Sequence, residues 1–228
     1  MLKLTAIFSL FVFLSTSVFA MSPDKEEKTL WAAYSSSPKN SIQELEALLA
    51  VADFYVRIKS DYQIADSLVE MGLKRALKTD DVDLKLLAYQ GYFNVQPAND
   101  ANPKALKRAE ELMQLAKSTS RSKIYWMAYY YQAMSQFNMF QFNEALKKKK
   151  KMEAITLKLN DPTLQIDLWL LLGSCHEKVS EKKVALSYFL QALDLAKQLA
   201  LYNEEQDALD ALAIMFHFNG NYDKALEY

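Results

Sequence analysis

From residue 42 onward, apolar side chains return at intervals of three and four, with charged and polar residues filling the remaining positions. That period predicts amphipathic helices, and they come in pairs. The first helices of the pairs are predicted at about 42–58, 80–95, 122–139, 162–178 and 203–218, and their partners at about 61–78, 103–118, 142–159 and 182–200, with a last start at 221. Start signals stand at the boundaries. Ser41 and Glu44 read as a capping box, in which the hydroxyl accepts an orphan N–H and the carboxylate reaches back. Asp161-Pro162 and Asn102-Pro103 each place a cap before a proline that has no N–H to satisfy. Asn203 with Gln206 reads as a further box, and Asn221 as the last cap. Pro97 is expected to stop the 80–95 helix early and lengthen the loop behind it.

The pairs are copies of one another. Ala65, Ala105, Ala145, Ala185 and Ala225 stand 40 residues apart, one in each second helix. Sixteen residues before each stands a large apolar residue: Leu49, Tyr89, Tyr129, Trp169 and Leu209. Three residues before, Tyr62, Phe142 and Tyr222 are aromatic, while Asn102 and Lys182 are not. A strict internal period of this length marks a solenoid, in which each unit buries its apolar face only against its neighbours.

The fourth unit carries the fullest pattern: Trp169-x2-Leu172-Gly173-x2-His176 in its first helix, then Ala185-x3-Phe189-x2-Ala192 in its second. This resembles the tetratricopeptide repeat, with His176 where that family usually has tyrosine. The resemblance spans residues 41–228. It departs in Asp53 and Phe93, which stand at positions of a small residue, and in a period longer than the usual 34. Long-period arrays of this kind are similar to the extracytoplasmic tetratricopeptide regions of bacterial sensor histidine kinases. The resemblance implies an all-α fold, a right-handed superhelical solenoid of antiparallel helix pairs. It also implies a concave groove lined by the free face of each first helix. Carried over by position, that face gives Met127, Tyr130, Met134, Phe137 and Asn138 in the third unit. It gives Asp167, Leu170, Ser174, Glu177 and Lys178 in the fourth, and Asp207, Asp210, Ile214, His217 and Phe218 in the fifth.

Composition agrees with long helices and short connections: 228 residues hold four glycines and five prolines. With 27 basic and 28 acidic residues the formal charge is −1, so no global field recruits nucleic acid or an anionic membrane. The single cysteine, Cys175, excludes an internal disulfide. The first twenty residues differ from the rest. An apolar run from Leu4 to Phe19 follows Lys3, and Val18 and Ala20 fit a signal-peptidase site. We read 1–20 as a cleaved secretory signal, with an uncleaved anchor as the alternative, and 21–40 as a linker. A short helix is expected there near 26–34, with Trp31 covering the first pair.

Candidate chemistry is sparse. Cys175 and His176 are neighbours, and neighbours on a helix point about 100° apart, so they do not form a nucleophile–base pair. The second histidine, His217, lies far along the chain, and two histidines without clustered carboxylates make a weak metal site. Lys147–Lys151 would cover every face of a helix and reads as a solvated surface with stems laid over neighbours. No aromatics alternate with these lysines to stack bases. The aromatic stretch from Tyr125 to Phe140 gives the third unit a Met- and aromatic-rich wall, suited to adaptable peptide recognition or to core packing.

Two functional readings follow. One is a non-enzymatic, cofactor-free scaffold that is secreted or periplasmic and binds a protein or peptide in its groove. The other is the sensory front of a longer membrane-bound signalling protein, a histidine kinase or related regulator. By the register the next packing aromatic falls at position 229, and about ten further residues are needed to cover Leu209, Leu212 and Phe216. The expectation is therefore a fragment, or a chain that associates end-on; a membrane enters only through an uncleaved signal or a missing C-terminal part.

Overall fold

The computed structural model describes residues 22–95 and 103–228. The expected signal at 1–20, the Asn102 cap and the Pro97 break lie outside them. The described residues are helices and short turns, without strand, so the all-α helical-repeat reading holds. The chain divides into two compact units, Met1–Pro97 and Ala98–Tyr228.

In the first unit α1 (Pro23–Ser36) packs on α2 (Ile42–Arg57), α2 on α3 (Tyr62–Ala76), and both α2 and α3 on α4 (Val82–Val95). The core is built from the apolar stripes: Leu48, Val51, Phe54, Val69, Leu73, Tyr89 and Tyr92 are all buried. Ala65 is fully buried where two helices cross, since only a small side chain lets the backbones approach. Helix α1 is longer than the sequence suggested and buries no residue completely. Polar contacts hold it. Tyr55 donates to Glu27 at 2.6 Å, Lys59 pairs with Glu27 at 3.2 Å, and Arg75 donates to the Tyr34 hydroxyl at 2.7 Å. Trp31 is half-buried with its ring edge-on to Tyr34 at 5.7 Å. At the start of α2 the Ser41 hydroxyl accepts the Glu44 N–H at 3.0 Å, as a capping box requires. The return bond lands one residue early: Glu44 accepts the N–H of Asn40, at 2.6 Å.

The second unit contains α5 (Pro103–Thr119), α6 (Ser122–Asn138), α7 (Phe142–Leu146), α8 (Lys149–Leu159), α9 (Pro162–Lys178), α10 (Lys182–Gln198), α11 (Tyr202–Phe218) and α12 (Tyr222–Glu227). Consecutive helices pack antiparallel as pairs, and α9 also packs against α6 and α11. The alanine column sits at the crossings, with Ala105, Ala145 and Ala185 buried. Asp161 caps α9 through the N–H groups of Thr163 and Leu164, at 3.1 and 3.5 Å. Asn221 caps α12 through Lys224, at 3.3 Å.

Two expectations are corrected. Asn203 is not a cap: α11 begins at Tyr202 after Leu201, which offers no side-chain acceptor. The helix expected over 142–159 is interrupted at Lys147–Lys148, where the Lys148 N–H turns to the carbonyl of Ala145, three residues back, at 3.1 Å. The tighter turn lets Lys148 reach Gln136 and the carbonyl of Glu144.

A second period lies inside the first. Asn40, Ser60, Ser120, Phe140, Asn160, Ser180, Ala200 and Gly220 all have left-handed backbone, with φ between 48° and 74°. Each ends a helix. Four of the turns close with the same bond, from Gln141, Glu181, Leu201 and Asn221 to the carbonyl five residues back, at 2.8–3.0 Å. This is the Schellman closure, which satisfies orphan carbonyls at a helix end. The same left-handed stop thus recurs every 20 residues from Ser120 to Gly220.

Candidate functional site

In the second unit the residues assigned to a groove stand on the first helices of the pairs, α6, α9 and α11. One side of each is committed to the core: Ile124, Trp126 and Ala128 on α6, Ile166, Leu168 and Leu172 on α9, Ala208, Leu212 and Met215 on α11. The opposite side carries the residues assigned to a groove, and its openness grows from α6 to α11.

On α6, Met127 is buried in the core, so it is not available to a ligand. Tyr130 and Met134 are half-buried. The Tyr130 ring stacks on Trp126 at 4.8 Å with 14° between planes, and meets Tyr131 at 5.6 Å. Trp126 is itself anchored by a buried bond from its Nε1 to Thr156 at 2.7 Å. Phe137 turns to Phe142 at 5.3 Å and serves the α6–α7 contact, with Asn138 beside it at the end of the helix. On α9, Leu170 is half-buried, the Ser174 hydroxyl donates to the Leu170 carbonyl at 2.9 Å, and Glu177 sits within 4.0 Å of Lys178. On α11, Ile214 and Phe218 are 51% and 74% exposed, and His217 lies edge-on to Phe218 and Tyr222. Lys178 reaches over the Phe218 ring at 5.6 Å and links α9 to α11.

At the other end of this face stand acids. Asp167 and Asp207 are one repeat apart, which puts them at the same level on neighbouring helices. Burial pushes the Asp167 carboxyl up to about 7; Glu204, Asp207 and Asp161 add to the rise and Lys123 opposes it. Asp207 is raised too, by burial first and then by Glu204 and Asp210. The Tyr130 and Tyr131 hydroxyls are held above their ordinary range by burial and by the charge of Asp167. Lys123, the cation acting on Asp167, is engaged by Asp161 at 3.4 Å. Among the described residues Asp167, Glu204 and Asp207 have no hydrogen-bond or ion-pair partner. Glu204 and Tyr131 were outside the positions carried over from the repeat pattern. The Tyr125–Phe140 run contained the one; nothing in sequence distinguished Glu204 from an ordinary acid in a helix's first turn.

The other candidates resolve separately. Cys175 is buried, and burial pushes its thiol up to about 12. His176 instead meets Glu181 at 2.5 Å through Nδ1 and stacks on Tyr188 at 5.6 Å. The lysine run is laid over its neighbours as expected, but with aromatic partners that spacing did not reveal: Lys149 over Tyr188 at 5.3 Å and Lys151 over Tyr129 at 5.2 Å.

No protein-family model matches the sequence, and no curated protein matches it. Among solved structures, the chain is similar to Bacillus thuringiensis PlcR in its apo form, with a TM-score of 0.63 over 90% of this chain and 76% of that one, at 14% identity. At that identity the likeness carries the fold alone: a stack of helix pairs.

Proposed function

We propose that the chain is a non-enzymatic scaffold of the tetratricopeptide type that binds a protein or peptide segment along the inner face of α6, α9 and α11, outside the cytoplasm. The observation that carries this reading is the apolar surface left open there. Ile214 and Phe218 are half or more exposed, and Tyr130, Met134 and Leu170 are half-buried. Side chains of this kind at helical spacing suit an extended or helical peptide whose own apolar residues enter between helices. The repeat pattern around Trp169, Gly173 and Ala185 supports the tetratricopeptide assignment, and residues 1–20 support export.

Selection of a random phage-displayed peptide library on the full chain tests this. Selected peptides should lose binding in Tyr130→Ala and in Ile214→Ala/Phe218→Ala variants that keep the helical circular dichroism of the wild type. Undiminished binding in both variants would sink the groove assignment. Cell fractionation with N-terminal sequencing tests export, the expected mature N-terminus being Met21; an intact N-terminus on cytoplasmic protein would count against it.

A further inference from the structure

The scaffold reading leaves the chemistry of the occupant open. Building on that reading, we infer that this face recognises a cationic peptide: a Lys or Arg side chain enters over the Tyr130 ring between Asp167 and Asp207, with apolar residues of the same segment on Ile214 and Phe218.

Three observations carry it. First, the acidity is local. The whole chain has a formal charge of −1, yet Asp167, Glu204 and Asp207 gather on one face with no cation of the described residues bound to any of them. Lys123 stays on Asp161, which also caps α9. Carboxylates set at one level on packed neighbouring helices, with no cation bound to them, gain from an external positive charge, and the gain grows where water is partly excluded. Second, the carboxylates border aromatic surface. Tyr130, fixed by its stack on Trp126, offers a rigid ring on α6, the helix packed against α9. A guanidinium or ammonium group over an aromatic face and between carboxylates is stabilised by both. Third, among the described residues no three carboxylate, histidine or thiol groups converge on one point as a metal ion needs. The acids are spread along a wall that continues into apolar surface at Ile214 and Phe218. A positive charge carried on a chain with apolar neighbours matches that layout, while nucleic acid and anionic lipid surfaces are repelled by it.

The test uses the full chain and an array of short synthetic peptides of random sequence ranging from net negative to net positive. Binders should be enriched in Lys and Arg. The strongest, labelled and titrated by fluorescence anisotropy, should lose about tenfold or more in affinity with Asp167→Asn/Asp207→Asn. It should be unchanged with Glu110→Gln/Asp194→Asn, acids exposed on α5 and α10. Binders without Lys or Arg, lost in Ile214→Ala/Phe218→Ala but unaffected by the two Asn changes, would overturn the cation inference and leave the groove reading standing. A natively helical chain that binds no peptide, or whose binding none of these changes alters, would overturn both.

Discussion

The ring of Phe189 lies where a side chain on Gly173 would have to be. A Cβ at 173 would come within 2.5 Å of Phe189 Cε1 and 2.7 Å of Cδ1. This contact sets how closely α9 and α10 approach, and Phe189 is buried at its centre. Gly173→Ala should therefore destabilise the chain by about 1–3 kcal/mol through overpacking, and Phe189→Ala by about 3–5 kcal/mol through the cavity it leaves. The two changes should not add. Once the ring is gone, a methyl at 173 has room, and the double variant should be less destabilised than the sum of the singles. Urea unfolding of all four proteins gives the cycle; additive losses would show that the ring does not set the approach.

A left-handed residue recurs every 20 residues from Ser120 to Gly220, and all of these but Gly220 carry a Cβ. Phe140 is the bulkiest, at φ 60° and 75% exposed. Its backbone carries a steric cost that glycine would not. Phe140→Gly should stabilise the chain by about 0.5 kcal/mol after glycine's added chain entropy is counted. Gly220 is the reverse case, at φ 74° with open space around the site of a Cβ. Gly220→Ala should cost about 1 kcal/mol from the backbone alone. Thermal melts of the two variants moving in the same direction would contradict this account.

These turns also explain what the sequence disclosed. The 40-residue register was legible because sterics at the helix crossings force small residues, so Ala105, Ala145 and Ala185 keep step. The 20-residue half-period was not, because Ser60, Phe140 and Ala200 give no glycine signal for the same left-handed stop. The register also said nothing of the break at Lys147–Lys148, which depends on where Lys148 finds an acceptor across the pair. At the candidate site, register assigned Tyr130 and Ile214 to a groove face; the first is half-buried and the second exposed. It misassigned Met127 to that face because position alone does not say how far a neighbouring helix covers a wall. The uncompensated charge of Asp167, Glu204 and Asp207 became visible only once α9 and α11 stood side by side.

In the first unit, Glu44 gathers three donors: the Asn40 N–H at 2.6 Å, Lys39 at 2.9 Å and Arg75 at 3.2 Å. Burial by itself would raise its carboxyl. The bonds from Lys39 and Asn40, with the charges of Lys39 and Arg75, outweigh that and hold it below its ordinary value. A lowered carboxyl stabilises the fold above the unfolded-state value, near 4.3, and loses that contribution as pH falls through the folded-state value. Glu44→Gln should cost about 1–3 kcal/mol at neutral pH and the gap to wild type should close in acid. Hydrogen exchange of α2 and α3 amides would report it; a gap that persists at low pH would assign the loss to packing rather than charge.

Asp167 has the opposite sign. Its carboxyl is pushed up to about 7, by burial first and then by Glu204, Asp207 and Asp161, with Lys123 opposing, and Tyr130 and Tyr131 of α6 facing it. In the unfolded chain an aspartate ionises near 3.9. As pH rises from about 4 to about 7 the unfolded state releases this proton and the folded state keeps it, so the fold loses stability across that window. Asp167→Asn removes the penalty. It should gain about 1–3 kcal/mol over wild type at pH 8, after discounting for its partial exposure, and nothing at pH 3. The same group then links stability to binding. A lysine or arginine between Asp167 and Asp207 favours the ionised carboxyl, so binding a basic peptide near pH 6.5 should release protons, which binding to Asp167→Asn should not. Calorimetric titrations in two buffers of different ionisation enthalpy read that release directly. Equal apparent enthalpies in the two buffers for the wild-type chain would mean that the peptide's charge does not meet Asp167.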